Sequence, residues 1–362
     1  MTTKEKVLQR LAQAQGQPVS GETLATECGV SRAAIWKAVS TLRTEGCQIE
    51  GTPNGGYVLG DDDVFTQEIF AETFSTCFPE FSNCHIECFK EIDSTNTYAK
   101  RVLAGCGNLR NADGSLTPAG EKYNRSIFVA EKQTAGRGRM GRTFVSPEKT
   151  GIYISVVYAP AGGIKDPARI TVCTAVAVCR TLKKLYGGCG VQPQIKWIND
   201  IFAGGKKICG ILAEGIANFE SGMIESAVIG IGINVKSSSA LSGKLADIAG
   251  SLEEVLKDSK NAQVSRARLA TEVAGQVFSI LEEDAESSAA SHARIISEYK
   301  EASFLLGQKI TVFPLIGYDK SSYKAIATDI DENAGLVVTL DDGTTRTLQT
   351  GEVSLKSGEF VT

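Results

Sequence analysis

The segment richest in chemical possibility is Gly136-Arg-Gly-Arg-Met-Gly-Arg142, which packs three glycines and three arginines into seven residues. Glycines let backbone N–H groups close on an anion, and arginines present planar, permanently charged forks. Such a loop suits a phosphate or an acyl phosphate. A basic loop bathed in solvent has the same composition, so context must decide. The segment formally satisfies G-x-G-x-x-G, but a dinucleotide loop opens a helix, whereas Arg142-Thr-Phe-Val-Ser-Pro147 follows here and no acidic residue ends a second strand at the required spacing. Gly204-Gly-Lys-Lys207 likewise lacks the hydroxyl residue of a phosphate loop.

Four other segments give the arginines company. Asp93-Ser-Thr-Asn96 places hydroxyl and amide groups at the start of a helix expected at Thr97, although an ordinary N-cap would look the same. Glu131-Lys-Gln133 closes the strand that delivers the arginine loop, which puts Gln133 at its mouth. Ile195-Lys-Trp-Ile-Asn-Asp200 alternates as a strand does, and Gly204-Gly205 turns it into Lys207-Ile-Cys-Gly-Ile-Leu212. Lys196 then lies mid-strand among apolar neighbours, a costly place for a charge unless an anion pairs with it. Gly230-Ile-Gly-Ile-Asn234 brings bare backbone near a ligand, with Asn234 able to donate and accept; glycines in a strand also mark bulges.

These segments need a frame. At 362 residues the chain exceeds a single domain of roughly 100 to 200, so two or three units are expected. Its 42% hydrophobic and 22% charged residues are those of a globular protein with a large core. No apolar run approaches the roughly 18 residues of a spanning helix and the start lacks a signal-peptide core, so no membrane partner and a cytoplasmic location are expected. Ten cysteines lie scattered without C-x-x-C spacing, and the nearest thing to a ligand set, Cys84-His-Ile-Glu-Cys88, reads as an alternating strand with buried thiols. No side-chain metal cluster is expected.

The first sixty residues carry three helical patterns. Val7, Leu8, Leu11 and Ala12 mark the first, stopping near Gly16 and Pro18; Ser20 caps a second through Leu24 and Ala25, ending at Cys28-Gly29. Ser31 caps a third whose stripe is Ala34, Ile35, Ala38, Val39 and Leu42. Two short strands about a Pro53-Asn54-Gly55-Gly56 turn follow as a wing, so the unit is a winged helix-turn-helix. Ser31, Arg32, Ala33, Trp36 and Lys37 would face a major groove; contact with another protein is the alternative. Six basic against five acidic residues, within a chain of net charge −4, make nonspecific DNA binding weak, so useful affinity requires a dimer on a two-part site. Gly60-Asp-Asp-Asp63 reads as a linker.

Beyond it, helices at 65–74, 97–103, 168–185 and 266–281 mix with strands at 85–89, 126–130 and 152–158, an α+β pattern with a mixed or antiparallel sheet and helices on one side. The polar stretch from Gly105 to Arg125 reads as a mobile surface insertion. From Phe304 four strands, 309–313, 323–330, 336–340 and 344–348, fit a small SH3-like barrel, used either for packing or for closing the site and docking a partner.

The ordered motifs Asp-Ser-Thr-Asn, Gln-x-Ala-Gly-Arg-Gly-Arg-x-Gly-Arg, Lys-Trp-x-Asn-Asp, Gly-Lys-Lys-x-x-Gly-Ile-Leu and Gly-x-Gly-Ile-Asn resemble the family of bifunctional biotin–protein ligases and biotin operon repressors. The resemblance covers essentially the whole chain, with Ser31-Arg-Ala-Ala-Ile35 similar to the recognition helix and Gly351-Glu-Val-Ser-Leu-Lys356 to the C-terminal strand. It implies a winged-helix head over 1–63, a catalytic domain over 64–303 like that of class II aminoacyl-tRNA synthetases, and an SH3-like tail over 304–362. The implied reaction joins biotin to ATP, with Mg2+, as biotinyl-5′-adenylate, then passes biotin to a lysine of a biotin carboxyl carrier domain. Ser94, Thr95, Asn96 and Gln133 would hold biotin, and Arg137, Gly138 and Arg139 would close over it. Lys196 would meet the reacting carboxylate and α-phosphate. Gly136, Arg142, Phe144, Asn199, Lys207 and Asn234 would lie at the adenylate. Operator DNA and a homodimer formed with adenylate bound are the other implied partners. This chain has Phe144 where the family usually has tryptophan, and Met140 and Lys356 where it has arginine. An effector-binding repressor without ligase activity and a lipoate ligase are the competing readings. The presence of Arg137, Arg139 and Lys196 speaks against the first, and the arginine loop with the head against the second.

Overall fold

The computed structural model describes residues 2–14, 17–44, 47–52, 55–60, 65–111, 113–160, 162–164, 166–218, 222–241, 243–259, 264–285, 289–314 and 321–355. The head holds α1 (Thr3–Gln13), α2 (Gly21–Cys28), α3 (Arg32–Thr44) and the antiparallel pair β1 (Ile49–Thr52) and β2 (Gly56–Leu59). Thr2 and Glu5 form a capping box on α1, Ser20 caps α2, and the Ser31 hydroxyl accepts the Ala34 N–H at 3.2 Å to start α3. Gly29 ends α2 at φ 69°, the left-handed conformation that a sharp turn between the two helices needs. The expected stripes close into one core of Val7, Leu8, Leu11, Leu24, Ile35, Val39 and Leu42, while Ala12 and Ala34 stand at its margin. Gly16, Pro53, Asn54 and the 61–63 part of the expected linker lie outside the described residues.

The central unit runs α4 (Gln67–Cys77), β3 (Ile86–Phe89), α5 (Thr95–Gly105), α6 (Pro118–Tyr123), β4 (Ile127–Ala130), β5 (Gly151–Tyr158), α7 (Pro167–Tyr186), β6 (Gln194–Lys196), β7 (Asp200–Ala203), β8 (Lys206–Ala217), β9 (Ile224–Asn234), α8 (Lys244–Ile248), α9 (Leu252–Leu256), α10 (Arg266–Ala285) and α11 (Ala289–Ala302). Its seven strands lie in the order β3-β4-β5-β9-β8-β7-β6; β3 and β4 are parallel and every other neighbour is antiparallel. The mixed sheet is as expected, but helices cover both faces. Ile152, Ile154, Val156, Ile229 and Ile231 join the core with α7 and α10, whereas Val157, Phe128 and Val228, at the alternate positions, pack against Ala99 and Leu103 of α5. Strand side chains alternate between faces, so the uniformly buried β5 must be covered on both.

The stretch from Gly105 to Arg125 carries more structure than its composition suggested. Most of its described residues are exposed or partly exposed, as a surface insertion requires, but it is anchored: Leu109 and Arg110 are buried and α6 forms within it. Thr117 N–H donates to Leu109 O at 2.9 Å, and Arg110 N–H to the Glu225 carboxylate at 3.0 Å. Its few apolar residues, Leu109, Leu116, Ala119 and Tyr123, converge on one cluster, and its polar majority makes the turns between them. Low apolar content hid that convergence.

The tail contains β10 (Lys309–Phe313), β11 (Tyr323–Ile330), β12 (Leu336–Thr339), β13 (Thr345–Leu348) and β14 (Glu352–Ser354), all antiparallel, in the order β13-β12-β11-β10-β14. Among the described residues the end strands β13 and β14 do not pair, so the sheet stays open and no closed barrel forms. Trp197 Nε1 donates to Ala334 O at 2.8 Å, which ties the β11–β12 turn to the turn after β6. At the other end of the chain α4 serves two cores: Ile69 packs into the head and Phe70 and Phe74 into the central unit. No helix among the described residues is long and apolar enough to cross a membrane.

Candidate functional site

The central sheet opens into a cavity of about 480 Å3 on the face that carries Tyr153, Gly230, Gly232 and Asn234. Glycine makes the room. A Cβ on Gly230 would stand 2.3 Å from Asn96 Oδ1, and one on Gly232 would stand 2.5 Å from the Phe144 ring. The ring can therefore lie on the sheet only because β9 is bare there, with its edge toward Tyr153 at a centroid distance of 6.4 Å.

One end of the cavity is a neutral hydrogen-bond network. Ser94 caps α5, whose helix begins at Thr95, two residues before the expected start. Gln133 Oε1 accepts from Thr95 N at 2.9 Å and Thr95 Oγ1 at 3.2 Å, while its Nε2 donates to Ser146 Oγ at 2.9 Å. This fixes which end of the amide is the acceptor. The Ser155 hydroxyl lies 2.7 Å from Thr95 Oγ1 and 2.5 Å from Asn96 Oδ1. Asn96 Nδ2 donates to Leu212 O and to Glu214 Oε2. Ser94, Thr95, Asn96 and Gln133 thus converge as expected, and Ser146, Ser155 and Glu214 join them from segments with no motif of their own.

The other end is cationic. Arg137, Gly138, Arg139, Arg142 and Phe144 line the cavity, whereas Gly136 stands behind the loop, where a Cβ would meet Phe144 O at 2.3 Å. The loop is pinned at three arginines. Arg137 lies 3.6 Å from Glu214, Arg139 donates to Asn199 Oδ1 at 3.0 Å, and Arg142 pairs with Glu352 of β14 at 2.5 Å. Met140 adopts φ 58° and is 55% exposed, so the one apolar side chain of the loop points away from the cavity wall.

The reading of 195–200 as one strand is corrected. β6 ends at Lys196, residues 197–199 turn, and β7 returns so that Lys196 faces Asp200 in register. Buried Ile195 and Trp197 flank the lysine. Burial holds the Lys196 ammonium below the ordinary lysine value, with nearby Asp200 pulling the other way. Lys207 pairs with Asp200 at 2.7 Å, and Asn199 Nδ2 donates to Ile211 O at 3.0 Å. Asn234 reaches the wall but spends its Nδ2 on Gly250 O at 3.1 Å. Five cations on the wall, Arg137, Arg139, Arg142, Lys196 and Lys207, face two carboxylates, Asp200 and Glu352. The cavity is built for an anion at one end and a neutral polar group at the other.

Glu214 was invisible to sequence reasoning, although its place beside Gly210-Ile-Leu212 was in view. Burial pushes its carboxyl up, but hydrogen bonds from Lys100 and Asn96 outweigh that and hold it below the usual value. Glu352 and the apolar Leu241, Leu245 and Ile248 were missed as well, because each arrives from a distant part of the chain. No group of three or more metal-ligating side chains is found among the described residues. Cys84 and Cys88 are half-buried, and burial raises both thiols, Cys84 to about 12.

In the head, Ser31, Arg32, Ala33, Trp36 and Lys37 are all exposed at the N-terminal half of α3, Trp36 at 64%. They share a surface distant in sequence from the cavity residues.

Residues 90–234 match the biotin/lipoate A/B protein ligase family, and residues 3–58 match an HTH domain. The bifunctional ligase/repressor BirA of Bacillus spizizenii is 34% identical over 254 residues, which cover 70% of this chain and 71% of that protein. The Salmonella typhimurium protein of the same name is 28% identical over 346 residues, 96% of each chain. The solved biotin protein ligase of Aquifex aeolicus, in complex with biotin and ATP, superposes with a TM-score of 0.57 at 22% identity, over 76% of this chain and 99% of that one, and so shares the fold. Motif order, cavity and identity agree: the chain belongs to the family of bifunctional biotin protein ligases and repressors.

Proposed function

We propose that this chain is an ATP-dependent biotin–protein ligase and a biotin-responsive transcriptional repressor. The observation that carries the catalytic half is the single cavity with a neutral hydrogen-bonding end and a cationic end. The neutral end suits the ureido ring of biotin, and the cationic end suits its carboxylate beside the ATP phosphates. Ser94, Thr95 and Gln133 face the ureido group, with Asn96 fixing α5 behind them. Arg137, Gly138 and Arg139 close over biotin and the intermediate, and Lys196 meets the carboxylate and the α-phosphate. Phe144, Asn199, Lys207, Asn234 and Arg142 serve the adenylate, with Glu352 of β14 holding Arg142 in place. Gly136 acts through the loop's backbone.

The carboxylate oxygen of biotin forms a bond to the α-phosphorus while the bond from that phosphorus to the α,β-bridging oxygen breaks, releasing pyrophosphate. An acceptor lysine amine then bonds the acyl carbon, AMP leaves, and the amine gives up a proton. No protein nucleophile is required. Positioning and charge neutralisation carry both steps, which fits a cavity that offers Arg and Lys. Mg2+ belongs to the ATP phosphates; the two carboxylates on the wall, Asp200 and Glu352, are engaged by Lys207 and Arg142.

The regulatory half rests on the exposed face of α3. Its substrate partner is a biotin carboxyl carrier domain and its nucleic-acid partner an operator. A homodimer formed with adenylate bound would present two heads to one site. The division at 63 and 303 is part of this reading, as are a core like that of class II aminoacyl-tRNA synthetases and an SH3-like tail, the latter supported by five antiparallel strands.

The test is purified protein with ATP, Mg2+, labelled biotin or lipoate, and an acceptor domain. Biotin transfer is expected. Transfer of lipoate alone, or of neither acid, overturns the ligase reading.

A further inference from the structure

α8 supplies part of the cavity wall but cannot stand by itself. It is five residues long, Leu245 and Ile248 reach the cavity from it, and Leu241 and Ala249 flank it there. A helix of that length is marginal in isolation, and Gly243 at its N-cap offers no side-chain hydrogen bond. Its terminal carbonyls are met from the sheet instead. Lys206 Nζ donates to Ala246 O at 2.8 Å and to Asp247 O at 2.9 Å, a cation placed where the helix end is negative. Two further ties hold the residue past the helix: Gly250 N–H donates to Lys207 O at 3.0 Å, and Asn234 Nδ2 donates to Gly250 O at 3.1 Å. Gly250 must be bare, because a Cβ there would lie 2.7 Å from the Cβ of Lys206. Lys206 is itself absent from the cavity wall, while its neighbour Lys207 is part of it.

We propose that Lys206 is a positioning residue for the nucleotide: its ammonium latches α8 against β8, and so holds the apolar wall on which the ATP base rests. This rests on the ligase reading for the identity of the nucleotide. Leu245, 38% exposed beside the cavity, is the apolar surface that a planar base would cover. Biotin, held at the far end by α5 and Gln133, does not touch this device.

The experiment compares Lys206→Met, which keeps the aliphatic stem, with Lys206→Arg, which keeps a charged donor. Lys206→Met is expected to raise the KM for ATP about tenfold, the loss anticipated for charge-assisted hydrogen bonds. It should leave the KM for biotin within about twofold and speed escape of preformed biotinyl-adenylate, and Lys206→Arg should restore most of each. Calorimetry of ATP binding without biotin supplies a readout apart from turnover and should show the same tenfold weakening. Unchanged ATP affinity in Lys206→Met overturns the proposal. So does an equal rise in both KM values with a lowered melting temperature, which would mark Lys206 as a general prop of the fold. Wild-type protein that binds ATP yet makes no adenylate sinks the ligase reading instead, and the calorimetric comparison still decides the role of Lys206.

Discussion

At Lys196 burial and charge conflict. Its native value is lowered below 10.5 by desolvation. Between that lowered value and 10.5 the folded chain binds fewer protons at this site than the unfolded one, so stability from this group rises as pH rises through the window, and the buried ammonium works against folding below it. An anion in the cavity reverses the balance. Adenylate formation at subsaturating ATP and biotin, which needs the ammonium on the empty enzyme, should therefore fall as pH rises through a value below 10.5, and Lys196→Arg should move that fall above the measurable range; the pH profile of kcat/KM decides, and an unmoved inflection contradicts it. Lys196→Ala should slow the same step roughly 100-fold or more. Arg139→Ala should chiefly hasten loss of the intermediate, since that side chain pairs with Asn199 across the mouth. Near-normal kinetics in both variants would sink these assignments. Ser94, Gln133 and Lys196 were legible in the sequence because each lies in a short motif with a local reason for its residue type. Glu214 was not: its partners Asn96, Lys100 and Arg137 are far away in the chain, and a lone glutamate on a strand ordinarily marks a solvated face.

At the scale of elements, bare strand is what gives the cavity its floor. Gly232→Ala would drive a methyl into the Phe144 ring, and the ring would have to leave the sheet. The KM for ATP should rise about tenfold with that for biotin little changed, measured by initial rates at saturating partner substrate. An equal rise in both would show that ring and base do not share that floor. Helix and strand periods were readable for α7, α10, β5 and most of the tail, since each has a long stripe or a clean alternation. Two features escaped the sequence for one reason. The second helical layer and the lobe after α5 are set by contacts between Leu109, Leu116, Ala119 and Phe128, which no local period announces. Similarly, the strand expected through 195–200 breaks after Lys196, because Trp197 turns inward to donate to Ala334 O.

At the scale of the whole molecule, the change of periodicity from helical at the start to mixed and then purely β was legible, and the two-, seven- and five-stranded sheets follow that order. Closure of the tail was not, because strand count alone does not say whether the end strands meet. We expect adenylate to pair two chains and so two α3 surfaces, a coupling between the cavity and the head. A DNase footprint on the operator should strengthen when biotin and ATP are added together, and one indifferent to them would count against the coupling. Trp36→Ala should weaken that footprint without altering adenylate formation.

The double duty of α4 sets a limit on dissection. Ile69 is 6% exposed only because the head covers it, while Phe70, its neighbour, is locked into the central core. A chain shortened to begin at residue 65 would keep α4 and turn Ile69 to water, leaving a sticky scar on an otherwise finished enzyme. Such a fragment should self-associate at concentrations where the intact chain does not, as light scattering would register, and Ile69→Gln should cure it. The head, on this account, is a bandage as well as a reader of DNA.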